Sequence, residues 1–203
     1  MSQSLTCENY FNRHAEQLKK IMFSKLPITN EEWEEFKSTL VLKTARKNRS
    51  LLSPDKKEYC ARLILKGIVK ITHHEPAPYV FDFRKKGCFL CNVVSLTGKI
   101  KSDFSFETIT DCEWIETNSD NIIGLNDKVL HAFSSLVIEY MNRGHERASF
   151  LRIGNAEERY TRFCSLHPDV IRYAKQADIA SFLDITTQSL SRIRKKLLKK
   201  FND

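Results

Sequence analysis

The hydrophobic period of this chain changes twice along its length, and these changes restrict the fold more than any single motif does. Between about residues 40 and 117, short apolar runs alternate with polar turns, a pattern typical of antiparallel strands. Before and after this stretch, apolar residues recur at helical spacing. The predicted strands lie within residues 40–42, 59–65, 67–72, 79–83, 89–96, 104–109 and 113–115. The sequence therefore predicts an α+β fold with a central antiparallel β sandwich or barrel.

The first 40 residues are predicted to be helical. Thr29 and Glu32 have the spacing of a capping box, in which each side chain accepts a hydrogen bond from the other residue's backbone N–H. Trp33, Phe36 and Leu40 then follow at the spacing of a helix that packs one face against a core. These residues predict a helix that begins near Thr29.

A long helix is predicted from about residue 126, where Asn126 or Asp127 can cap it, to about residue 152. Its apolar positions alternate in steps of four and three, the spacing of an a/d seam, although Gly144 and Arg147 weaken its distal half. The helix packs on its own domain, or it forms a coiled coil in a homodimer. We favour the homodimer, because the seam is longer than a small β domain could cover. The predicted interface contains Leu130, Phe133, Val137, Tyr140, Gly144 and Leu151.

The sequence from Lys175 to Lys200 has the apolar spacing of a helix-turn-helix. Asp184 occupies the turn position that usually requires a left-handed backbone, which aspartate tolerates. Thr186 is a natural N-cap for the second helix, and upstream, Asn155 with Glu158 resembles a second capping box. The inward-facing apolar positions are Ile179, Leu183, Ile185, Leu190 and Ile193.

The outward face of this second helix is polar and basic. Residues 192–200 include six basic side chains and no acidic one, in a chain with a formal net charge of +8. A basic surface favours a polyanionic partner, and glutamine and arginine can pair with adenine and guanine edges in the major groove. A basic run alone would indicate only a solvated surface, but together with the apolar spacing it predicts binding to double-stranded DNA. The predicted DNA-binding residues are Thr186, Thr187, Gln188, Ser189, Ser191, Arg192, Lys195, Lys196 and Lys199.

This order of parts resembles the Crp/Fnr family of bacterial transcription regulators, and residues 156–197 are the most specific part of the resemblance. The resemblance implies a cyclic-nucleotide-binding-like β-roll at 1–125, a dimerisation helix at 126–154 and a helix-turn-helix domain at 155–203. It also implies a dimer that reads a palindromic DNA site, with RNA polymerase as a further partner. By the resemblance, Thr187, Gln188 and Arg192 occupy positions that read base edges. Because the sequence ends at Asp203, the wing that many members carry is expected to be absent.

Family members that bind a cyclic nucleotide carry a phosphate cassette, which this sequence matches only in part. Asn92 occupies the position expected for a ribose-binding glutamate, and Ser102 occupies that of a phosphate-binding arginine. Asp103 adds negative charge there, and Lys101 lacks the two-pronged geometry of arginine. We expect an effector other than cyclic AMP, or a roll that is only a structural spacer. The candidate effector-pocket residues are Gly87, Phe89, Asn92, Val93, Lys101, Ser102 and Asp103.

Other chemistry finds little support in the sequence. Cys88 and Cys91 have the spacing of a metal or redox motif, but they lie in a predicted strand, which favours buried thiols. His73 and His74 are adjacent and would point to opposite faces of a strand, which weighs against a cupin-like metalloenzyme. The chain contains no apolar run long enough for a membrane span and no secretory signal. We therefore predict a cytoplasmic, non-enzymatic protein with reduced cysteines, no metal and no cofactor.

A second interpretation of the same features keeps the roll but changes the role of the basic C-terminus. In this interpretation the roll binds an effector, and the basic tail docks a protein or another acidic surface. A gel-shift assay with DNA separates the two interpretations, since only a DNA-binding regulator shifts duplex DNA in a sequence-dependent way.

Overall fold

The computed structural model describes residues 2–23, 28–123 and 147–200, together with residues 127, 131, 134 and 138. Its centre is a β-roll of two four-stranded antiparallel sheets, ordered β1-β8-β3-β6 and β2-β7-β4-β5. The strands are β1 Val41–Ala45, β2 Ser50–Leu52, β3 Cys60–Lys66, β4 Ile68–His73, β5 Tyr79–Lys85, β6 Phe89–Leu90, β7 Phe104–Thr108 and β8 Cys112–Asn118. Helices precede and follow the roll, so the predicted α+β class is confirmed.

The core of the roll lies between the two sheets. Ile64 of β3, Ile71 of β4 and Phe106 of β7 are each at most 1% exposed and belong to one apolar cluster. All three lie on central strands, where alternate side chains point between the sheets and the others point away from them. On β3 the flanking residues Leu63 and Leu65 belong to a second apolar cluster on the other face of the sheet, so both faces of this strand are buried.

Two N-terminal helices, α1 (Ser2–Phe23) and α2 (Asn30–Ser38), cover the sheet that contains β3 and β8. The predicted capping box of α2 is confirmed: Thr29 Oγ1 accepts the Glu32 N–H at 3.2 Å, and Glu32 Oε2 accepts the Thr29 N–H at 2.7 Å. Trp33 and Phe36 are buried against Ala15 of α1 and the sheet. The aromatic face of α2 thus packs as its spacing predicts.

The predicted strand over residues 89–96 is wrong beyond its first two residues. β6 ends at Leu90, and a helix, α3, extends over Val93–Gly98. Asn92 caps α3, since its side-chain oxygen accepts a hydrogen bond from the Ser95 backbone N–H at 3.2 Å. An asparagine cap satisfies one of the free donors at a helix start, and here it outweighs the strand preference of the two valines that follow.

Helix α4 (Ser119–Ile123) follows the roll, and the structure describes four further helices within residues 156–200. These are α5 (Ala156–Leu166), α6 (Pro168–Tyr173), α7 (Gln176–Phe182) and α8 (Thr187–Lys200). α5 begins at the second predicted capping box, where Asn155 Oδ1 accepts the Glu158 N–H at 3.1 Å and Glu158 Oε2 accepts the Asn155 N–H at 3.4 Å. This capping box is confirmed.

Most of the predicted dimer seam lies outside the described residues. This applies to Leu130, Phe133, Val137, Tyr140 and Gly144. Residues 127, 131, 134, 138 and 147–151 are helical, in agreement with a helix in this region. Leu151 packs, half-buried, against the core that connects the C-terminal helices to the roll. The dimer interface therefore stays a prediction.

The C-terminal helices pack on the roll through an aromatic core, here called the joint, formed by Phe83, Phe150, Phe163 and Phe182. Between ring centroids, Phe83 of β5 lies 5.8 Å from Phe182 of α7 and 6.2 Å from Phe163 of α5. Phe182 lies 5.0 Å from Phe163 and 5.9 Å from Phe150. All four rings are buried. Aromatic pairs at these separations add stability beyond that of the area they bury.

Arg147 packs against the edge of the joint. Its guanidinium carbon lies 5.0 Å from the Tyr79 ring centroid and 5.6 Å from that of Phe182. Its guanidinium also donates to the carbonyl oxygens of Val80 and Phe182, at 3.5 and 3.4 Å. Burial lowers the pKa of Arg147, since a cation is costly to remove from water, and the aromatic and carbonyl contacts offset part of this cost. Arg147 thereby links the helical residues 147–151 to both the roll and α7.

Polar contacts extend the joint along β4 and β5. The Lys70 ammonium lies 3.0 Å from Glu107 and 3.3 Å from Asp178 of α7, and the Val80 N–H donates to Ser181 Oγ at 2.9 Å. Burial lowers the pKa of Lys70, but its hydrogen bonds and ion pairs with the two carboxylates more than offset this, so its pKa is raised. Ionic and backbone contacts therefore hold α7 in one register on the roll.

We expect Phe182→Ala to lower the free energy of unfolding by about 3–5 kcal/mol, because it removes a buried ring from the centre of the joint. Urea unfolding monitored by circular dichroism measures this change. Leu198→Ala is the control: Leu198 is 64% exposed, and its truncation should change the free energy by less than about 0.5 kcal/mol. Equal effects of the two substitutions would show that the joint does not contribute as described.

Candidate nucleic-acid interface

Helices α7 and α8 form the helix-turn-helix that the sequence predicts. Ile179, Leu183 and Leu190 are at most 3% exposed. Ile185 and Ile193 are half-buried and pack against the same cluster. All five predicted apolar positions therefore face inward.

The turn between the two helices has the predicted backbone geometry. Asp184 has φ of 54°, in the left-handed region that aspartate tolerates better than most side chains. Thr186 Oγ1 accepts a hydrogen bond from the Ser189 backbone N–H at 3.1 Å, which makes Thr186 the N-cap of α8. The cap fixes where α8 begins and hence which of its residues face away from the core.

The outer face of α8 carries a row of side chains without internal ion pairs. Thr187, Gln188, Arg192, Lys195 and Lys199 are all exposed. Across residues 147–200 and the other described ranges, no carboxylate pairs with Arg192, Lys195 or Lys199. Positions 188, 192, 195 and 199 follow the spacing of one helical face. Such a row of cations can lie along a polyanion.

The remaining predicted DNA-binding residues have internal partners or partial burial. Ser189 and Ser191 are half-buried, and Thr186 Oγ1 also donates to Ser189 Oγ at 3.0 Å. The Lys196 ammonium lies 2.6 Å from Glu157 Oε2 of α5, so α5 already neutralises its charge. These four residues therefore have weaker support from the geometry than the exposed row, and their DNA contacts stay predictions.

The cassette of the roll is held together by its own hydrogen bonds. Asn92 is buried, and its side-chain nitrogen donates to Ser102 Oγ at 2.8 Å and to Asp103 Oδ1 at 3.1 Å. Its oxygen accepts the capping bond from Ser95, and Ser102 Oγ donates to the Phe104 carbonyl at 2.8 Å. The positions that the resemblance assigns to ribose and phosphate contacts thus bind each other.

A histidine of β4 forms a further hydrogen bond with Asp103. His73 Nε2 lies 2.9 Å from Asp103 Oδ2, and the His73 ring centroid lies 4.5 Å from that of Phe104. The adjacent His74 bonds to a different residue, Ser105, at 2.8 Å. The two histidines therefore have separate partners, and His74 lies just beyond the end of β4.

Among the described residues, the other candidate effector-pocket residues lie outside this hydrogen-bond network. Gly87 forms the turn before β6 with φ of 82°, and its N–H donates to the Ile64 carbonyl at 2.8 Å. Phe89 and Val93 are half-buried apolar residues. Lys101 is exposed, and no hydrogen bond within the described residues connects it to the network of Asn92. The structure therefore brings together Asn92, Ser102 and Asp103 but not Lys101.

A buried ion pair that the sequence does not predict supports this cassette. Glu58 and Arg62 are 2% and 7% exposed, with 3.0 Å between Arg62 Nη1 and Glu58 Oε2. Burial lowers the pKa of Arg62, but the Glu58 carboxylate more than offsets this, so its pKa is raised. The Glu58 N–H donates to Ser95 Oγ of α3 at 2.9 Å. Glu58 and Arg62 are only four residues apart, but the contacts that surround the pair come from distant segments, Ser95 of α3 and Glu116 of β8.

The two cysteines of the CxxC spacing are buried, as predicted. Cys88 is 6% exposed and Cys91 is 2% exposed. Burial raises the pKa of the Cys91 thiol to about 12, so this sulfur is protonated at neutral pH, and protonated thiols are poor nucleophiles and metal ligands. Among the described residues, no group of three or more His, Cys, Asp or Glu side chains is arranged to hold a metal ion.

A cyclic-nucleotide-binding-like roll followed by a helix-turn-helix is the fold of Crp/Fnr-type regulators, and solved structures share it. The c-di-GMP responsive global regulator CLP of Xanthomonas campestris has a TM-score of 0.65 and 16% identity, over 85% of this chain and 93% of that chain. FixK2 from Bradyrhizobium japonicum has a TM-score of 0.62 and 14% identity, over 79% and 85%. A protein from Eubacterium rectale, described as a regulator of the crp/fnr family, has a TM-score of 0.68 and 9% identity, over 87% and 88%.

These similarities confirm the predicted resemblance at the level of the fold. No protein-family model matches the sequence, and no curated protein matches it. None of the described helices is both long enough and apolar enough to cross a bilayer.

We expect cyclic AMP to produce no measurable heat of binding at millimolar concentration. To enter the cassette, the nucleotide would have to break the bonds of Asn92 to Ser102 and Asp103 and place its phosphate beside a carboxylate without an arginine. Isothermal titration calorimetry on the full chain measures this, with circular dichroism to verify folding. Micromolar binding would show that the internal network opens to admit the ligand.

Proposed function

We propose that the protein is a sequence-specific DNA-binding transcription regulator of the Crp/Fnr type. The observation that carries this proposal is the exposed row on α8, in which Gln188 stands beside Arg192, Lys195 and Lys199, cations that no carboxylate of the described residues pairs with. This row lies on the second helix of a helix-turn-helix, the element that enters the major groove in such proteins. The fold shared with CLP and FixK2 supports the same conclusion.

Within this proposal the residues of α8 have two different roles. Gln188 and Arg192 lie in the first half of the helix, from which side chains reach base edges, and both can form bidentate contacts with a purine. Lys195 and Lys199 lie towards the other end and neutralise phosphates, which adds affinity but no sequence information.

In this proposal, the chain consists of a roll at 1–125, a dimerisation helix at 126–154 and a DNA-binding domain at 155–203. In a two-fold dimer, two α8 helices enter major grooves about 34 Å apart, so the DNA site is palindromic. The protein acts in the cytoplasm, without an enzymatic activity of its own, and RNA polymerase is a further partner. The roll receives an effector other than cyclic AMP or serves as a structural spacer, since its cassette is occupied by internal bonds.

We expect Arg192→Ala to weaken binding by about 1–3 kcal/mol per half-site and to relax preference at one base position. Lys199→Ala should weaken binding to all sequences alike and reduce the slope of log affinity against log salt by about one. Both are measured by salt titrations on a site selected from a random DNA pool.

Lys43→Ala serves as the control for these titrations, because Lys43 is an exposed lysine on β1 of the roll. Its loss makes the same change in charge as Lys199→Ala and should leave the salt slope unchanged. If Arg192→Ala keeps the full sequence preference, α8 is not the recognition helix. The basic tail would then be a non-specific surface for a protein or acidic partner.

We expect the full chain to be a dimer at micromolar concentration and the double variant Leu130→Asp/Val137→Asp to be a monomer. Both residues belong to the predicted seam, and unpaired charges buried in an interface are strongly destabilising. Light scattering coupled to size-exclusion chromatography measures the mass. A wild-type monomer would exclude the proposed dimer and, with it, the palindromic site.

A further inference from the structure

A cavity of about 990 Å³ lies between α1, the turn that joins β3 to β4, and α6. It is separate from the effector cassette and from the outer face of α8, since none of the residues assigned to those two sites lines it. The N-terminal helix, the roll and the C-terminal helices all contribute to its walls. The cavity is therefore a place where all three parts of the chain can contact one ligand.

The walls of this cavity carry an excess of positive charge. Five cationic side chains line it, against the carboxylates of Asp111 and Asp169. The cations are Arg13, Lys47, Lys66, Lys85 and Lys86. Lys66 pairs with Glu113 at 3.1 Å, whereas within the described ranges no ion pair involves the other four cations. Four unpaired cations in one concave surface favour a ligand with several negative charges.

The rest of the lining combines apolar and aromatic residues with the polar residues His14, Gln17 and Thr110. Ile68 and Ile109 are 4% and 6% exposed and form part of the wall. Tyr173 of α6 is 44% exposed, and the Arg172 guanidinium carbon lies 5.4 Å from its ring centroid, so the opposite ring face is the one left for a ligand. Tyr10 of α1 donates its hydroxyl hydrogen to Glu113 Oε2 at 2.7 Å, which holds its ring in place. A planar apolar group can therefore pack next to the cationic part of the same cavity.

We propose that this cavity binds a nucleotide with at least two phosphate groups. The phosphates contact the unpaired cations Arg13, Lys85 and Lys86, and the base packs against Tyr173 and the apolar wall. Asp111 and Asp169 offset two of the four cations, so a net charge of about +2 remains. A chain of phosphates spreads its charge over several groups and can contact Arg13 on α1 and the two lysines at the end of β5 together, which favours it over a single phosphate. This inference does not depend on DNA binding by α8, because the two sites share no residue.

Titration calorimetry of the full chain with ATP in EDTA, without divalent cations, tests the phosphate contacts. We expect the double variant Lys85→Ala/Lys86→Ala to raise the dissociation constant for ATP about tenfold or more, since each lost contact is a charge-assisted bond. Lys56→Ala/Lys57→Ala makes the same change in charge at two exposed positions outside the cavity and should leave the constant unchanged. Absence of ATP binding at millimolar concentration, or equal losses in both variants, would overturn the proposal.

The base contact is tested separately with inorganic triphosphate as the second probe. Tyr173→Leu should weaken ATP binding by about fivefold or more, as expected for loss of a base–aromatic contact, and should leave triphosphate binding unchanged. If ATP and triphosphate bind the wild-type protein equally, the cavity is an anion site without nucleotide recognition, and the proposal is wrong.

The last variant distinguishes this cavity from the DNA-binding surface. Lys195→Ala/Lys199→Ala removes two cations of α8 and should leave ATP binding at its wild-type level, whatever it does to DNA binding. If this variant loses ATP binding instead, the nucleotide binds α8 as a competitor of DNA, and the cavity proposal fails while the proposed function stands. Circular dichroism and the unfolding midpoint verify that each variant is folded.

Discussion

The joint between β5 and the C-terminal helices is the contact on which the placement of α8 depends. α7 packs its inner face on Phe83 through Phe182, and the Leu190 side chain of α8 is buried in the same cluster. α8 is therefore positioned relative to the roll through α7. Because aromatic rings in a close-packed core have few alternative arrangements, the exposed row of α8 has a defined orientation relative to both sheets.

Arg147 adds directional polar contacts to the joint, which an entirely apolar contact would lack. It contributes a cation to an aromatic core, and burial lowers its pKa. The carbonyl groups of Val80 and Phe182 that it contacts lie on β5 and at the end of α7. Moving α7 away from β5 would break one of these bonds while the cation remained partly buried, which is unfavourable. Arg147 therefore stabilises the packing of α7 on β5 through directional hydrogen bonds as well as through buried surface area.

The sequence predicts those features that depend on neighbouring residues. Both capping boxes, the left-handed Asp184 and the inward spacing of α7 and α8 follow from interactions within a few residues, and the structure contains all of them. Helix α3 and the joint are not predicted, because they depend on packing between distant segments. In the sequence, Arg147 only interrupts an apolar seam, and its aromatic partners become apparent when β5 and α7 meet.

In the cassette, two residues differ from those that the family resemblance implies for ligand binding. Their side chains form internal hydrogen bonds instead. Asn92 and Ser102 are shorter than the glutamate and arginine that the family resemblance implies there, and the Asn92 side-chain nitrogen donates to both Ser102 and Asp103. Each of these buried bonds contributes about 0.5–1.5 kcal/mol, and a ligand must replace them before it gains any contact of its own. Asn92 also caps α3, so its displacement would cost part of the stability of that helix. A ligand that binds the roll therefore loses less free energy at a surface whose polar groups have no internal hydrogen bonds to break. At this cassette it would first have to break the bonds of Asn92.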